Sequence, residues 1–250
     1  MTLFEGERID YVNDSLSLIQ KPEGLTFGTD ALLLAGYVSG RHKCGFELGA
    51  GSGIISMLLL TRNKVAEIAA LEVQEEYAEL TRRNAELNGL SSRLTSLCAD
   101  LRDVKGDGTA DAIFTNPPYM RTDSGRANVT DAKNIARHEV FGDIGDFCDA
   151  AKRLLKFGGC FYAVYRTDRL CDLLSEMRRC SIEPKRMTFV HANADSEPSM
   201  VLVEGRLGGK CGLFVTPPLL IYKDKENSKY SDDMNYIMEM GSFPSGFLKR

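Results

Sequence analysis

Short apolar runs alternate along the chain with longer segments in which apolar residues recur every three or four positions. The short runs are bounded by glycine, proline or acidic residues, which is typical of buried strands, and the longer segments have the period of amphipathic helices. Strands that alternate with helices predict an α/β fold, built on a mostly parallel, twisted sheet with helices on both faces.

Seven strands are predicted, at residues 44–48, 68–73, 94–99, 111–115, 160–165, 186–191 and 200–204. The predicted helices start near Asp30 and near Ile54 and cover residues 75–88, 146–156 and 168–179; Gly158-Gly159 is expected to close the fourth. Thr29 or Asp30 is expected to cap the first helix. Residues 9–19 alternate like an exposed hairpin or edge strand, whereas residues 223–233 are too polar for a structure to be assigned.

Length and composition are those of an ordinary soluble globular protein, with 250 residues, 43 % hydrophobic and 26 % charged. We expect one domain over residues 1–250, with an N-terminal extension and lid (1–40), a core (41–207) and a C-terminal extension (208–250). The first residues lack the apolar segment of a signal peptide and no apolar run is long enough to span a bilayer. A cytoplasmic location without membrane association is therefore expected.

The seven cysteines and three histidines argue against a metal site. The closest cysteines, Cys171 and Cys180, are nine positions apart, so no Cys-x-x-Cys pair exists, and no two histidines share a short spacing. The scattered thiols are those expected of a reduced, cytosolic protein. The net charge of −4 does not by itself indicate a nucleic-acid-binding protein.

A glycine-rich turn with glycines at 49, 51 and 53 lies between a predicted strand and a predicted helix. Such glycines permit a tight bend, close approach of a ligand to the backbone and close packing of helix on strand. A nicotinamide site prefers Gly-x-Gly-x-x-Gly, with a pyrophosphate at the helix N-terminus. Here the sequence is Glu-Leu-Gly-Ala-Gly-Ser-Gly, and Glu47 would repel a pyrophosphate but attract the ammonium group of an amino-acid ligand.

Two further carboxylates follow predicted strands at the same edge of the sheet. Glu72 lies nineteen positions after Gly53, about the distance at which such folds place a carboxylate on a ribose diol. Asp100 is placed to accept a hydrogen bond from an adenine amino group. Together these residues suit S-adenosylmethionine, which contains an amino acid, a ribose and an adenine but no phosphate. Alternatively, each carboxylate is a solvated strand end.

The tetrapeptide Asn116-Pro117-Pro118-Tyr119 follows a predicted buried strand, at the edge where open α/β sheets bind ligands. The Asn116 side-chain oxygen and the Pro117 carbonyl can accept both N–H bonds of a planar amino group, which localises the nitrogen lone pair for attack on a methyl sulfonium. Tyr119 offers a face on which a planar substrate can stack. The alternative is a rigid turn or a polyproline ligand, although such ligands lie in exposed tails and not directly after an apolar strand.

With these motifs in place, the chain resembles the class I methyltransferases, and more narrowly the bacterial tRNA1(Val) (adenine(37)-N6)-methyltransferase family. The resemblance rests on residues 25–34, 47–53, 116–119, 136–139 and 183–186. It implies a Rossmann-like fold, S-adenosyl-L-methionine as cofactor and N6-methylation of an adenine beside the anticodon of a tRNA substrate. The catalytic residues that it implies are Asn116, Pro117, Pro118 and Tyr119. The cofactor-binding residues that it implies are Thr29, Asp30, Glu47, Gly49, Ala50, Gly51, Gly53, Glu72, Val73, Asp100, Leu101 and Asn116.

Other functions remain open at this stage. Guanine-N2 or adenine-N6 methyltransferases of ribosomal RNA and glutamine N5-methyltransferases of release factors resemble this chain in the same tetrapeptide. The latter usually carry an N-terminal helical domain, for which the roughly forty residues before the glycine turn are too few. A nicotinamide-dependent oxidoreductase is disfavoured by the glycine spacing and by Glu47. A non-catalytic RNA-binding protein on the same fold would not need to keep the tetrapeptide.

Two clusters of basic residues are candidate RNA contacts. The first follows the tetrapeptide and is expected to bind phosphates while the target base is flipped inward; it consists of Arg121, Arg126, Lys133 and Arg137. The second consists of Arg178, Arg179, Lys185 and Arg186. Alternatively, both are ordinary solvated faces. His138 is expected to shape the first segment and not to act as a base, because the transfer needs none.

Overall fold

The computed structural model describes residues 3–21, 28–118, 142–226 and 228–248. Its strands are β1 (Arg8–Asn13), β2 (Leu16–Gln20), β3 (His42–Leu48), β4 (Val65–Glu72), β5 (Leu94–Cys98), β6 (Ala110–Thr115), β7 (Leu155–Arg166), β8 (Ile182–His191), β9 (Pro198–Leu207), β10 (Phe214–Val215) and β11 (Leu219–Leu220). Its α-helices are α1 (Thr29–Tyr37), α2 (Ile54–Thr61), α3 (Glu75–Leu87), α4 (Ile144–Leu154), α5 (Leu170–Arg179) and α6 (Asp232–Met240). Strands β1 and β2 form the predicted hairpin.

The large sheet has the strand order β10-β8-β9-β7-β6-β3-β4-β5, with β11 also pairing with β8. Its pairs are parallel except those made by β9, which is antiparallel to both β7 and β8. The chain runs outward from β3 through β4 to β5, and then returns to β6 on the other side of β3. Open α/β sheets bind ligands at such a switch point, outside the carboxyl ends of the strands.

Helices cover both faces of the sheet and bury two apolar clusters. One cluster contains residues from α1, α2 and α6, and the other contains residues from α4 and α5. In α2 every residue from Ile54 to Leu60 is buried, as expected for a helix that is apolar all round. The predicted fold class is therefore confirmed. None of the helices in the described parts of the chain is long and apolar enough to cross a bilayer.

Several predicted boundaries are wrong. Helix α4 ends at Leu154 and β7 begins at Leu155, so Gly158-Gly159 lies inside a strand and does not close the helix. The strand starts early because Leu155 pairs with Ala110 of β6 and is itself buried. The sheet also gains β10 and β11 beyond the seven predicted strands. Each is only two residues long, which is too short to give a recognisable alternation.

The C-terminal region contains a helix that the sequence analysis left unassigned. The Ser231 hydroxyl caps α6 by accepting a hydrogen bond from the Met234 amide at 3.0 Å. Met234 and Ile237, three positions apart on one face of α6, are buried in the core. The polar residues around the start of α6 obscured this short apolar face.

Two buried cations hold the C-terminal end of α1. The Lys64 ammonium donates to the carbonyls of Ala35, Gly36 and Val38 at 2.8–2.9 Å. Arg186 donates to the Tyr37 carbonyl at 2.6 Å and lies 3.8 Å from the centre of the Tyr37 ring. Cations at a helix C-terminus satisfy its last carbonyls and interact favourably with its dipole. These contacts fix the helix whose first turn carries Thr29 and Asp30.

One member of the second basic cluster is buried, so the four residues do not form one continuous surface. Arg186 is only 3 % exposed and forms an ion pair with Glu204 of β9 at 2.7 Å, so it is not a surface RNA contact. Arg178 pairs with Glu183, and Arg179 pairs with both Asp149 and Glu176. The Lys185 ammonium donates to the Lys210 carbonyl at 2.7 Å. Arg186 is therefore the member that the fold removes from the surface, whereas Arg178 and Arg179 stay exposed.

Candidate active site

The glycine-rich turn follows β3 and leads into α2. Gly49, Gly51 and Gly53 have φ angles of 71°, 54° and 78°, in the left-handed region that favours glycine. The amides of Gly49 and Ala50 both donate to the Leu71 carbonyl near the end of β4, at 3.0 and 2.9 Å. The turn is thus held against the neighbouring strand at the carboxyl edge of the sheet, where the sequence analysis placed it.

Two polar side chains of helix α3 donate hydrogen bonds to carbonyls of this turn, and the sequence pattern did not identify either of them. The Thr81 hydroxyl donates to the Gly51 carbonyl at 2.8 Å. The Asn84 amide donates to the Ser52 carbonyl at 3.1 Å, and its oxygen accepts from the Ile19 amide at 2.7 Å. Both side chains are fully buried. Two polar residues three positions apart on the inward face of an amphipathic helix were the available signal.

Replacing Gly53 by Ala is expected to destabilise the turn more than its φ angle alone requires. A Cβ at this position would lie 2.7 Å from the Thr81 Cγ2 atom, so overpacking adds about 1–3 kcal/mol to about 1–2 kcal/mol of backbone strain. Gly40→Ala is the matched control, because Gly40 has a φ of 76° with nothing within 4 Å of an added Cβ. Urea denaturation of both variants measures the difference, and Thr81→Ser should partly rescue Gly53→Ala. Equal losses in both variants would contradict the packing argument.

Glu47 lies at the end of β3 and is almost fully buried, with 1 % of its surface exposed. One carboxylate oxygen accepts hydrogen bonds from the Ser56 amide, at 2.9 Å, and from the Ser56 hydroxyl. Burial raises the pKa of this carboxyl to about 8. Glu47 therefore ties the glycine turn to the first turn of α2, and Ser56 is a supporting residue that the sequence analysis did not identify. An ammonium group beside Glu47 would lower its pKa again.

The raised pKa of Glu47 makes part of the protein's stability depend on pH. The folded carboxyl binds its proton more tightly than an ordinary glutamate at 4.5, so its contribution is fully present below pH 4.5 and is lost as the pH rises towards about 8. Glu47→Gln cannot ionise but keeps an acceptor for Ser56. The stability of this variant relative to wild type should therefore increase between about pH 5 and pH 8, by on the order of 3 kcal/mol.

Urea denaturation at the two pH values measures this change in stability. Glu75→Gln serves as the control because Glu75 is exposed at the start of α3. A constant difference between wild type and Glu47→Gln at both pH values would show that Glu47 does not hold a proton in the folded protein.

Glu72 is the last residue of β4, and Asp100 lies two residues after the neighbouring strand β5, so both are at strand ends as predicted. The two Glu72 oxygens accept from the amides of Gly51, at 2.9 Å, and Gln74, at 3.0 Å. The Asp100 carboxylate accepts from the Arg102 guanidinium, and this hydrogen bond lowers the pKa of Asp100. Next to these residues, Val73 is half-buried and Leu101 is buried. The Ala99 amide donates to the Glu72 carbonyl at 3.0 Å and so joins the two strand ends.

Asn116 follows β6, directly beside β3 in the sheet. The preceding Thr115 donates its hydroxyl proton to the Leu48 carbonyl at 2.9 Å, which fixes the end of β6 next to the glycine turn. The Asn116 Nδ2 atom lies 2.7 Å from the Asp30 Oδ2 atom, to which it donates. The structure therefore brings together the tetrapeptide and the start of α1, which are 86 positions apart in the sequence.

The predicted cap of α1 is wrong, and the difference explains where Asp30 is used. The N-cap of α1 is Gly28, and no side chain caps the helix. The Asp30 Oδ1 atom accepts from the adjacent Ala31 amide at 2.9 Å, while its Oδ2 atom accepts from Asn116. Asp30 thus points across to the end of β6 and not back over its own helix.

Two clefts are lined by residues of the tetrapeptide and of the start of α1. Pro117 and Pro118 line a cleft of about 500 Å³ on the side of α4 and α5, and Thr29 and Asp30 line one of about 630 Å³ on the side of β7 and β9. Tyr119, Arg121, Arg126, Lys133, Arg137 and His138 lie outside the described residues. The first opening therefore lies directly beside the end of β6, and the second is reached through Asp30, which contacts Asn116; each is large enough for a small planar group.

The donor set at this edge matches the chemistry of S-adenosylmethionine better than that of a dinucleotide. The groups at the ends of β4, β5 and β6 include the carboxylates of Glu72 and Asp100 and the amide of Asn116, and the Arg102 guanidinium is paired with Asp100. Carboxylates accept from hydroxyl, amino and ammonium groups but repel phosphates. Among the described residues, no group of three or more His, Cys, Asp or Glu side chains is arranged to hold a metal ion.

Comparison with known proteins agrees with this geometry. Residues 23–178 match the family described as the methyltransferase small domain, and the match covers more than half of the chain. The chain belongs to this family. A protein named tRNA1(Val) (adenine(37)-N6)-methyltransferase from Phocaeicola vulgatus is 31 % identical over 70 % of this chain and 74 % of its own length. A protein of the same name from Porphyromonas gingivalis is 27 % identical over 72 % and 73 %. The resemblance predicted from the sequence is confirmed.

Solved structures of other methyltransferases share the fold of this family member. A predicted O-methyltransferase from Agrobacterium tumefaciens has a TM-score of 0.71 at 21 % identity, over 86 % of this chain and 98 % of that chain. TYW2 from M. jannaschii, solved in complex with AdoMet, has a TM-score of 0.56 at 15 % identity, over 82 % and 87 %. At these identities the similarity shows the fold alone.

Proposed function

We propose that this methyltransferase transfers the methyl group of S-adenosyl-L-methionine to the N6 atom of an adenine in tRNA, beside the anticodon. The observation that carries the proposal is the Asn116 amide, fixed at the end of β6 next to the glycine turn. Relatives named for adenine 37 of tRNA1(Val) support the choice of substrate, since they match this chain over about three quarters of their length.

The side chains at the strand ends supply the cofactor contacts in this proposal. The Glu72 carboxylate accepts from the ribose hydroxyls and Asp100 accepts from the adenine amino group. The backbone of the glycine turn lies against the amino-acid part, beside Glu47, and α1 contributes Thr29 on the other side. The cofactor supplies a methyl group on a positively charged sulfur. The left-handed glycines allow close approach because no Cβ stands between ligand and backbone.

Asn116 and Pro117 orient the substrate amino group. Because Asn116 Nδ2 donates to Asp30, its Oδ1 atom is the one that accepts an N–H bond of the substrate. The Pro117 carbonyl accepts the second N–H bond, and both together localise the lone pair on the nitrogen. Positioning of this kind is worth several kcal/mol of the barrier. The proton leaves to solvent after transfer, so the site needs no strong base.

Recognition of the RNA is assigned to the segment that follows the tetrapeptide. Tyr119 stacks on the target base, and Arg121, Arg126, Lys133 and Arg137 bind neighbouring phosphates. Because the net charge of the whole chain is −4, a local group of arginines and lysines is the simplest source of RNA affinity.

Methyl transfer to unmodified bulk tRNA, followed by nucleoside mass spectrometry, tests the proposal. N6-methyladenosine in tRNA is the expected product. The same assay is repeated with ribosomal RNA and with a release factor as acceptors. If tRNA is not methylated but N2-methylguanosine forms in ribosomal RNA, or methylglutamine forms in the release factor, that acceptor replaces tRNA as the substrate. Absence of both transfer and cofactor binding would contradict the methyltransferase mechanism itself.

A further inference from the structure

We propose that Asp30 is a positioning residue for methyl transfer. It holds the Asn116 side chain so that the amide oxygen, and not the amide nitrogen, faces the substrate amino group. The inference rests on the proposed function only in that the substrate is a planar amino group, and it adds a role for α1 in the reaction.

Which of the two side chains donates this hydrogen bond follows from their chemistry. An ionised carboxylate only accepts hydrogen bonds, and an amide offers both a donating nitrogen and an accepting oxygen. At 2.7 Å from Asp30 Oδ2, the Asn116 group must therefore be Nδ2. A charge-assisted hydrogen bond of this kind is about twice as strong as a neutral one. An amide without this partner could rotate by half a turn and present N–H bonds to the N–H bonds of the substrate.

Asp30 is itself oriented by a backbone amide of its own helix, and the helix is fixed at its far end. The Ala31 amide donates to its other oxygen at 2.9 Å. A Cβ at Gly28 would lie 2.6 Å from that same oxygen, so a larger residue there would displace the Asp30 carboxylate. At the far end of α1, Lys64 and Arg186 bind the last carbonyls. The helix thus links two buried cations to the orientation of one catalytic amide.

This role differs from the cofactor contact that the sequence predicts for Asp30, and the two roles make different predictions. If Asp30 bound the cofactor, its replacement would weaken the protein's affinity for S-adenosylmethionine. If it acts through Asn116, its replacement lowers kcat and leaves that affinity unchanged, because the Asn116 amide contacts the substrate and not the methyl donor.

Asp30→Asn tests the inference with little change in shape. Asn can either accept from or donate to Asn116, so both orientations of the Asn116 amide become possible. We expect kcat to fall about 10- to 100-fold and the Kd for S-adenosylmethionine to change by less than about threefold. In an Asn116→Ala background, Asp30→Asn should have no further effect on kcat, since residues that act as a unit are not additive. Asp14→Asn, an exposed site in the hairpin, is the control for loss of charge.

A spectroscopic measurement keeps this test separate from the identity of the substrate. The side-chain amide resonance of Asn116, assigned by its loss in Asn116→Ala, should show one proton protected from exchange in wild type and weaker protection of that proton in Asp30→Ala. Wild-type kcat in Asp30→Asn, a fall in cofactor affinity that matches the fall in kcat, or unchanged protection in Asp30→Ala would each overturn the inference. Failure of wild type to methylate tRNA would instead remove the proposed substrate, and the resonance would still decide the role of Asp30.

Discussion

Asn116→Ala should reduce methyl transfer by about 10²- to 10³-fold and leave cofactor affinity within about threefold of wild type. The magnitude follows from other polar groups that act only in the transition state, whose removal costs about 2.7–4 kcal/mol. The substitution removes the acceptor that localises the nitrogen lone pair, and it also leaves the Asp30 carboxylate without the donor at 2.7 Å. Single-turnover rates with saturating cofactor and RNA measure the chemical step directly.

Asn235→Ala is the matched control for this substitution. Asn235 is exposed on α6, and its amide makes only a long hydrogen bond of 3.4 Å to the Tyr230 carbonyl. The Asn235→Ala variant should transfer methyl groups at the wild-type rate. If Asn116→Ala also retained the wild-type rate, the tetrapeptide would not be the reacting centre, and the mechanism would have to be assigned to another strand end.

Glu72→Ala is expected to weaken binding of S-adenosylmethionine by about 10²-fold or more. Hydrogen bonds to a charged group are worth about 1.5–3 kcal/mol each, and the proposed ribose contact involves two hydroxyl groups. The same substitution removes the partner of the Gly51 amide, at 2.9 Å, so the glycine turn also loses support. Isothermal titration calorimetry with the cofactor measures the loss, and circular dichroism confirms that the fold is intact.

The neighbouring Glu75 provides the comparison for Glu72. It lies three positions later, in the first turn of α3, and is exposed. Glu75→Ala should bind the cofactor as wild type does. Cofactor affinity that is equal in Glu72→Ala and Glu75→Ala would show that the carboxylate after β4 does not bind the ribose.

The sequence predicts the local features of this site well, because they depend on local chemistry. Glycines at positions with φ above +50° mark the turn, and the long apolar strands identify the edge at which Glu72 and Asn116 end. The position of Asp30 relative to Asn116 could not be predicted in this way, because it is a long-range contact. The contact joins residues 86 positions apart, and only the packing of α1 against the sheet brings them together.

Buried charges were the main source of error in the predictions. Arg186 belongs to a basic cluster that the sequence predicts as a candidate RNA contact, yet it is buried and pairs with Glu204 and with the carbonyl of Tyr37. Lys64 was not identified at all, although it binds three carbonyls at the end of α1. A sequence pattern does not show which carbonyls will need a donor, because those partners come from distant elements.

The most direct test of the proposed reaction uses two transcripts of a valine tRNA, one with adenine 37 and one with guanine at the same position. Each is incubated with wild type or Asn116→Ala and labelled S-adenosylmethionine, and the methylated nucleoside is identified by mass spectrometry. We expect N6-methyladenosine only in the adenine 37 transcript treated with wild type. Equal methylation of both transcripts by wild type would contradict the proposed target. Equal methylation of the adenine 37 transcript by wild type and by Asn116→Ala would contradict the proposed role of Asn116.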